Sequence, residues 1–248
     1  ADTNINSPTG IYNGYETKKG GKYIFGEINA KDDSFIIITD DLKNKSLRTA
    51  TAIENKGKMI FEKDLNVILP GNTSTGPCSW DYADGIENNG IHFTYSDSPW
   101  SPTYSVDEGS YFEVKGKLSI SNSKAGEAGS IFNESKSVFK AGTIVTDNLI
   151  TNKGEMYVQN GIEGTEFRNI GGTLLLDGES KLGYLYNSDE GNITGDIVRS
   201  KKIFNDGNKI KLDTVYSNYI DNGDAAILNI KNIKFESIKK NSWDTDIK

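Results

Sequence analysis

A short phrase recurs along this chain: an apolar residue, one variable residue, then asparagine, followed by polar positions and a brief apolar run. It reads IFNESKSVF from Ile131, ITNKGEMYV from Ile150, FRNIGGTLLL from Phe167, LYNSDEGNI from Leu185, IFNDGNKIKL from Ile203 and IDNGDAAIL from Ile220. Its asparagines are Asn133, Asn152, Asn169, Asn187, Asn205 and Asn222, so successive copies lie 19, 17, 18, 18 and 17 residues apart. Self-similarity at so regular a period is the signature of a repeat architecture. IENKGKMIF from Ile53 and IENNGIHF from Ile86 add Asn55 and Asn88 at wider spacing.

A repeat of this length is too short for a pair of packed helices, and its apolar residues alternate or run briefly, as strands do. The sequence therefore predicts an all-β fold, a right-handed parallel β-helix (a solenoid) of coils of about 17–19 residues with an amino-terminal cap. Gly, Asn, Asp, Ser and Thr supply the frequent corners. A short amide at a fixed point of each turn can bond nearby backbone, accept a left-handed conformation and stack on the amide of the next turn. Asn55, Asn88, Asn133, Asn152, Asn169, Asn187, Asn205 and Asn222 are thus expected to form a structural ladder.

One domain is expected over residues 1–248. Residues 1–33 read as a cap or entering strand, 34–230 as coils, and 231–248 as carboxy-terminal closure in which Phe235 and Ile238 complete the core and Trp243 covers it. SFIIITDDL, Ser34 to Leu42, reads as a buried strand. The wide spacings place two loop insertions at 68–85 and 94–109, with an unmarked, Asn-less coil around YFEVKGKLSI, Tyr111 to Ile120.

The formal net charge of −7 and isoelectric point near 4.9 argue against a nucleic-acid partner, because phosphate binding needs concentrated Lys and Arg. No apolar run approaches the roughly 20 residues of a membrane span, so no membrane insertion of this domain is expected. ADTNINSPTG resembles a mature amino terminus left by signal-peptide removal. The single cysteine, Cys78, cannot form an internal disulfide. The sole histidine, His92, reads as a polar-face residue of a strand; one His makes no zinc site, and no cofactor is expected.

Insertions in repeat proteins gather on one face, commonly the binding face. The two expected loops carry Trp80, Tyr82, Tyr95, Trp100 and Tyr104 beside Asp81, Asp84, Asp97 and Asp107. Trp80, Tyr82, Asp84, Trp100 and Tyr104 are the candidate ligand-binding residues: aromatic rings stack on sugars or apolar patches, and carboxylates accept hydroxyl hydrogen bonds. The same aromatics could instead pack as a lid on the flank. The carboxylates also admit an alternative, a polysaccharide-degrading lyase or hydrolase, which requires them to converge in one groove. Asn44, Asn72 and Asn192 sit in accessible glycosylation sequons; a further sequon at Asn133 falls on the ladder.

The segments IENNGIHF through SPTYSV, NKGEMYV, and IFNDGNKIKL to AILNI resemble the amino-terminal domain of fungal hyphally regulated cell-wall adhesins, over most of the chain. Bacterial autotransporter passengers look nearly as similar. The fungal resemblance implies a secreted, glycosylated, non-catalytic head joined by a downstream stalk and a glycolipid-derived (GPI) anchor to the cell wall. It implies attachment to host or abiotic surfaces through a glycan or protein ligand, and a part in virulence. The chain departs from that family in its shortness, its single Cys and its richness in Lys, Asn and Asp.

Overall fold

The computed structural model describes residues 9–17, 23–37, 49–69, 82–95, 103–121 and 129–235. Every regular element among them is a strand. The repeated phrase explains why. Strand side chains alternate between faces, so in Ile150-Thr151-Asn152 the first and third residues point the same way. Both are fully buried. A turn follows, and strand Glu155–Val158 sends Met156 and Val158 inward, after which Ile162 opens a third inward run in Ile162–Ile170.

Each segment pairs in parallel with its equivalent in the next layer of chain. Ile131 lies opposite Ile150, Ile150 opposite Phe167, Phe167 opposite Leu185, Leu185 opposite Ile203, and Ile203 opposite Ile220. The second column runs Met59, Phe112, Phe139, Met156, Leu174, Ile193 and Ile210. Within it Phe112 stacks on Phe139 with ring centroids 5.0 Å apart, and Phe61 leans on Phe112 at 5.7 Å. Each such side chain contributes about 1.5–3 kcal/mol by leaving water, and the columns form one continuous apolar interior.

Seventeen of the described strands belong to a single sheet. This corrects the expected fold class, an open right-handed β-helix solenoid with a cap. The core sheet closes on itself around the interior as a barrel-like wall. The physical reason lies in strand length. Strands Thr173–Ser188, Asn192–Asn205 and Lys209–Asn222 carry the parallel ladder past the corners, with one register shift between Leu176 and Glu179, so runs that read as separate short strands are one surface.

Of the two expectations for the amino-terminal region, a cap or an entering strand, its described wall strands answer to the second. Strand Thr9–Asn13 pairs in parallel with Thr49–Asn55, and Glu27–Ala30 pairs with Lys58–Phe61, so both are part of the wall. The run beginning at Ser34 forms strand Ser34–Ile37, and it is not buried: Phe35 is 66% and Ile37 59% exposed. Strand alternation turns Ile36 toward the core and its two neighbours outward, so an unbroken apolar run cannot all point inward from a wall with one solvent face.

The expected unmarked coil is absent. Strand Tyr111–Ser121 pairs with Lys58–Phe61 and Leu65–Ile68 on one side and Val138–Thr146 on the other, completing the layer that Asn88 begins. Beyond residue 230 the wall continues: strand Ile227–Phe235 pairs with Lys209–Asn222, and Phe235, expected to close the core, is 71% exposed. Ile238 and Trp243 lie outside the described residues.

Candidate functional site

Two features interrupt or reinforce the plain wall. The reinforcing one is the amide column. Asn13 Nδ2 donates to Asn55 Oδ1, Asn55 to Asn88, Asn88 to Asn133, Asn133 to Asn152, Asn152 to Asn169, Asn169 to Asn187 and Asn187 to Asn205, each at 2.8 Å, and Asn205 donates to Asn222 at 2.7 Å. The same Nδ2 groups reach backbone carbonyls at the corner. Asn55 donates to Gly57 O and Tyr111 O, and Asn169 to Gly172 O and Asn192 O. A buried amide costs free energy unless satisfied, and here both ends of each interior group are engaged. Glycine seals the corner: a Cβ at Gly172 would stand 2.6 Å from Asn152 Nδ2.

The sequence reading missed Asn13, the first member of the column. Ile11-Tyr12-Asn13 carries the same apolar-x-Asn signal, but it lies in a stretch read as a cap or entering strand. Asn133, within a sequon, is fully buried. Asn192 opens a wall strand, partly buried, with its Nδ2 3.0 Å from Glu190 O.

The interrupting feature is a β-hairpin. Strands Ile91–Tyr95 and Thr103–Glu108 pair antiparallel in a sheet of their own, with no ladder to the wall. The described ends of the stretch 94–109, residues 94–95 and 103–108, are therefore strand of a hairpin rather than loop, inserted between the strand ending at Asn88 and the strand beginning at Tyr111. Its backbone alternation is what HFTY and TYSV encode. Tyr104 lies opposite Thr94, and His92 opposite Val106.

Tyr82 and Asp84 sit instead in wall strand Tyr82–Asn88, opposite Thr49 and Thr51. Tyr104 and Asp107 belong to the hairpin, so the candidate residues are divided between two unpaired elements. Trp80, Asp81, Asp97, Trp100, Cys78, Asn44 and Asn72 lie outside the described residues. Among the described residues no group of three or more His, Cys, Asp or Glu could hold a metal ion, and no helix is long and apolar enough to cross a membrane.

No family model matches the chain, and no curated protein or solved structure matches it either.

Ionisable groups on the outer face of the wall are tuned by burial and by their strand neighbours. The Tyr111 phenol is pushed up to about 12 by burial and by its 2.9 Å hydrogen bond to Glu113. Tyr157 is raised by its hydrogen bond to Glu155, with burial second. Lys140 lies between these two rings, 5.5 Å from each centroid. Lys140 thereby joins the two neighbouring layers from outside, as the amides do from within.

Proposed function

We propose that this chain is a non-catalytic adhesin head, secreted and held at a cell surface or wall by a downstream stalk, and used for attachment to a host-cell or abiotic surface. The observation that carries the reading is the pairing of a locked wall with the hairpin Ile91–Tyr95 and Thr103–Glu108, one of two antiparallel strand pairs outside the wall among the described residues, the other being Tyr15–Thr17 with Tyr23–Phe25. A continuous column of hydrogen-bonded amides fixes the layers in register. The strands Ile91–Tyr95 and Thr103–Glu108 pair with each other and with no other described strand. A rigid scaffold carrying an unincorporated segment rich in Tyr and Trp suits contact with a partner more than chemistry, which needs convergent groups.

The test replaces residues 91–108 with a short Gly/Ser linker and measures attachment of chain-coated beads to cultured cells and to plastic, beside a cleavage assay on acidic polysaccharides. Attachment is expected to fall by about tenfold, a loss of about 1.4 kcal/mol, with the far-ultraviolet circular dichroism of the wall retained. Undiminished attachment would remove the hairpin from the contact. Turnover of polysaccharide by the unaltered chain would refute the non-catalytic reading.

A further inference from the structure

The wall ends in two rims. At the amino rim, strands Thr9–Asn13 and Glu27–Ala30 pair on one side, with Thr49–Asn55 and Lys58–Phe61. At the carboxy rim, strand Ile227–Phe235 and the segment from Tyr219 to Asn222 also pair on one side, each with the layer before it. Among the described strands none pairs with the outer edges. An open strand edge is a template for pairing with another chain.

Three core columns run in register from rim to rim: Ile11 to Ile220, Ile28 to Leu228 and Ala30 to Ile230. Apolar side chains between these ends are buried, whereas the six at the rims are only partly so. Each lacks one neighbouring layer. Ile233 shows the same loss, for its partners Val215 and Val198 are fully buried while it is 45% exposed. Strand alternation cannot hide such residues, because they already face the core, and only a further layer covers them.

The amide column says which layer fits. Every amide donates toward the carboxy rim, so the column has a direction. Asn13 spends its Nδ2 on Asn55 Oδ1, Gly26 O and Lys58 O, and no described donor reaches its Oδ1. At the other end Asn222 accepts from Asn205, and its Nδ2 meets only carbonyls of its own turn, Gly223 O and Ala226 O. Each interior Nδ2 bonds a carbonyl and the next amide; Asn222 has the carbonyls and lacks the amide. A second copy stacked head to tail supplies it, setting Asn222 against Asn13, Ile220 on Ile11, Leu228 on Ile28 and Ile230 on Ala30. Two like rims would instead bring donor to donor or acceptor to acceptor. Charge agrees with that order: Ile227–Phe235 carries Lys231 and Lys234 with no acid, and residues 27–37 carry Glu27, Asp32 and Asp33 against Lys31. Lys231 and Asp32 also pair within the chain, and both remain exposed.

We infer that the carboxy rim of one chain docks on the amino rim of a second copy, so that the amide and core columns continue across the joint. The contact joins unlike surfaces, each added copy leaves a new free rim, and the product is a rod rather than a closed pair. The nine asparagines from Asn13 to Asn222 mark nine layers, so at about 4.8 Å per layer copies repeat about every 43 Å along the rod.

The test is sedimentation velocity of the 248-residue chain at concentrations up to about 1 mM, with electron microscopy of the concentrated sample. Species that lengthen with concentration and rods with the 43 Å axial repeat are expected. The Asn222 NH₂, exposed in the single chain, should exchange slowly with solvent only in the rods. Ile230→Lys should block the carboxy rim and Ile28→Lys the amino rim, so that each variant alone is a monomer and an equimolar mixture forms a one-to-one pair that grows no further. Asn222→Asp, at an exposed position that leaves the core untouched, sets a carboxylate against Asn13 Oδ1 and should weaken association by about tenfold or more.

A parent chain that stays monomeric at about 1 mM would overturn the proposal and give the rims to a cover from within the chain or from a different protein. Dimers of Ile230→Lys alone would also overturn it, because they would mean that like rims pair. So would rods that persist in all three variants when these keep the circular dichroism of the parent. The proposal does not rest on the adhesin reading: the chain whose hairpin is replaced should form rods as the parent does, whatever becomes of its attachment to cells.

Discussion

Removing one amide from the middle of the column should be far more damaging than removing one from its end. Asn169 is fully buried. Its Nδ2 donates to Gly172 O and Asn187 Oδ1 at 2.8 Å and to Asn192 O at 3.3 Å, and its Oδ1 accepts from Asn152 Nδ2 at 2.8 Å. Asn169→Ala strips Asn187 Oδ1 of that donor, while Asn152 Nδ2 keeps Gly154 O and Thr173 O as acceptors. One stranded acceptor at about 1–3 kcal/mol and the remaining lost bonds at about 0.5–1.5 kcal/mol each give a loss of about 3 kcal/mol or more. Asn222 is exposed and donates to Gly223 O and Ala226 O at the column's end, where water can substitute, so Asn222→Ala should cost about 1 kcal/mol or less.

Asn169→Asp adds a pH signature. The new carboxylate would face three oxygen acceptors with one amide donor left to it, so its folded pKa lies above the ordinary aspartate value of about 3.9. A raised folded pKa favours the protonated form in the native state. The variant is therefore most stable below about pH 4 and loses stability as pH rises through the unfolded and then the folded value. Urea unfolding followed by circular dichroism, from acid to neutral pH, measures all three variants. If Asn169→Ala costs no more than Asn222→Ala, or Asn169→Asp shows no growing deficit toward neutral pH, the ladder does not stabilise this fold as argued.

Two further outcomes follow from the backbone and the outer face. Gly161 has φ +88, and a Cβ there would meet Glu179 O at 2.0 Å, whereas at Gly164 the nearest atom is 3.4 Å away. Gly161→Ala should therefore lose more than about 1 kcal/mol in urea unfolding and Gly164→Ala less than about 0.5 kcal/mol; equal effects would contradict the close packing of the corners. Tyr111, raised to about 12, favours its neutral form in the folded state, so its stabilising contribution is complete below about pH 10 and is lost as pH climbs from 10 to 12. Tyrosinate absorbance should show late-titrating groups, among them one near pH 12 that disappears in Tyr111→Phe; a titration unchanged by that substitution would refute the assignment.

The parts of the structure written in local residue pattern were readable, and the parts set by how layers meet were not. The period of the apolar-x-Asn phrase places each asparagine two residues from an inward Ile, Leu or Phe, and strand alternation then carries both inward. Ile11-Tyr12-Asn13 has the same pattern and was hidden only by its polar, Gly-rich surroundings. Closure of the wall was not legible, because it depends on Thr173–Ser188 and its two successors resuming their ladder past the corners, across a one-residue register shift between Leu176 and Glu179. The hairpin read as loop because its strands are short and flanked by Ser, Pro and Asp. The equivalence of the two rims had no signal at all: Ile28 and Leu228, or Ala30 and Ile230, share no motif, and only stacking puts each pair in one column.

Side-chain amide exchange tests the continuity of the asparagine column most directly. In a 15N-labelled sample the NH₂ groups of Asn55, Asn88, Asn133, Asn152, Asn169, Asn187 and Asn205, all buried and each donating to the next amide, should exchange with deuterated solvent orders of magnitude more slowly than those of exposed Asn160 and Asn222. Rapid exchange throughout that set, at the rate of the exposed pair, would mean that the column is not formed and that some other interaction holds the layers in register.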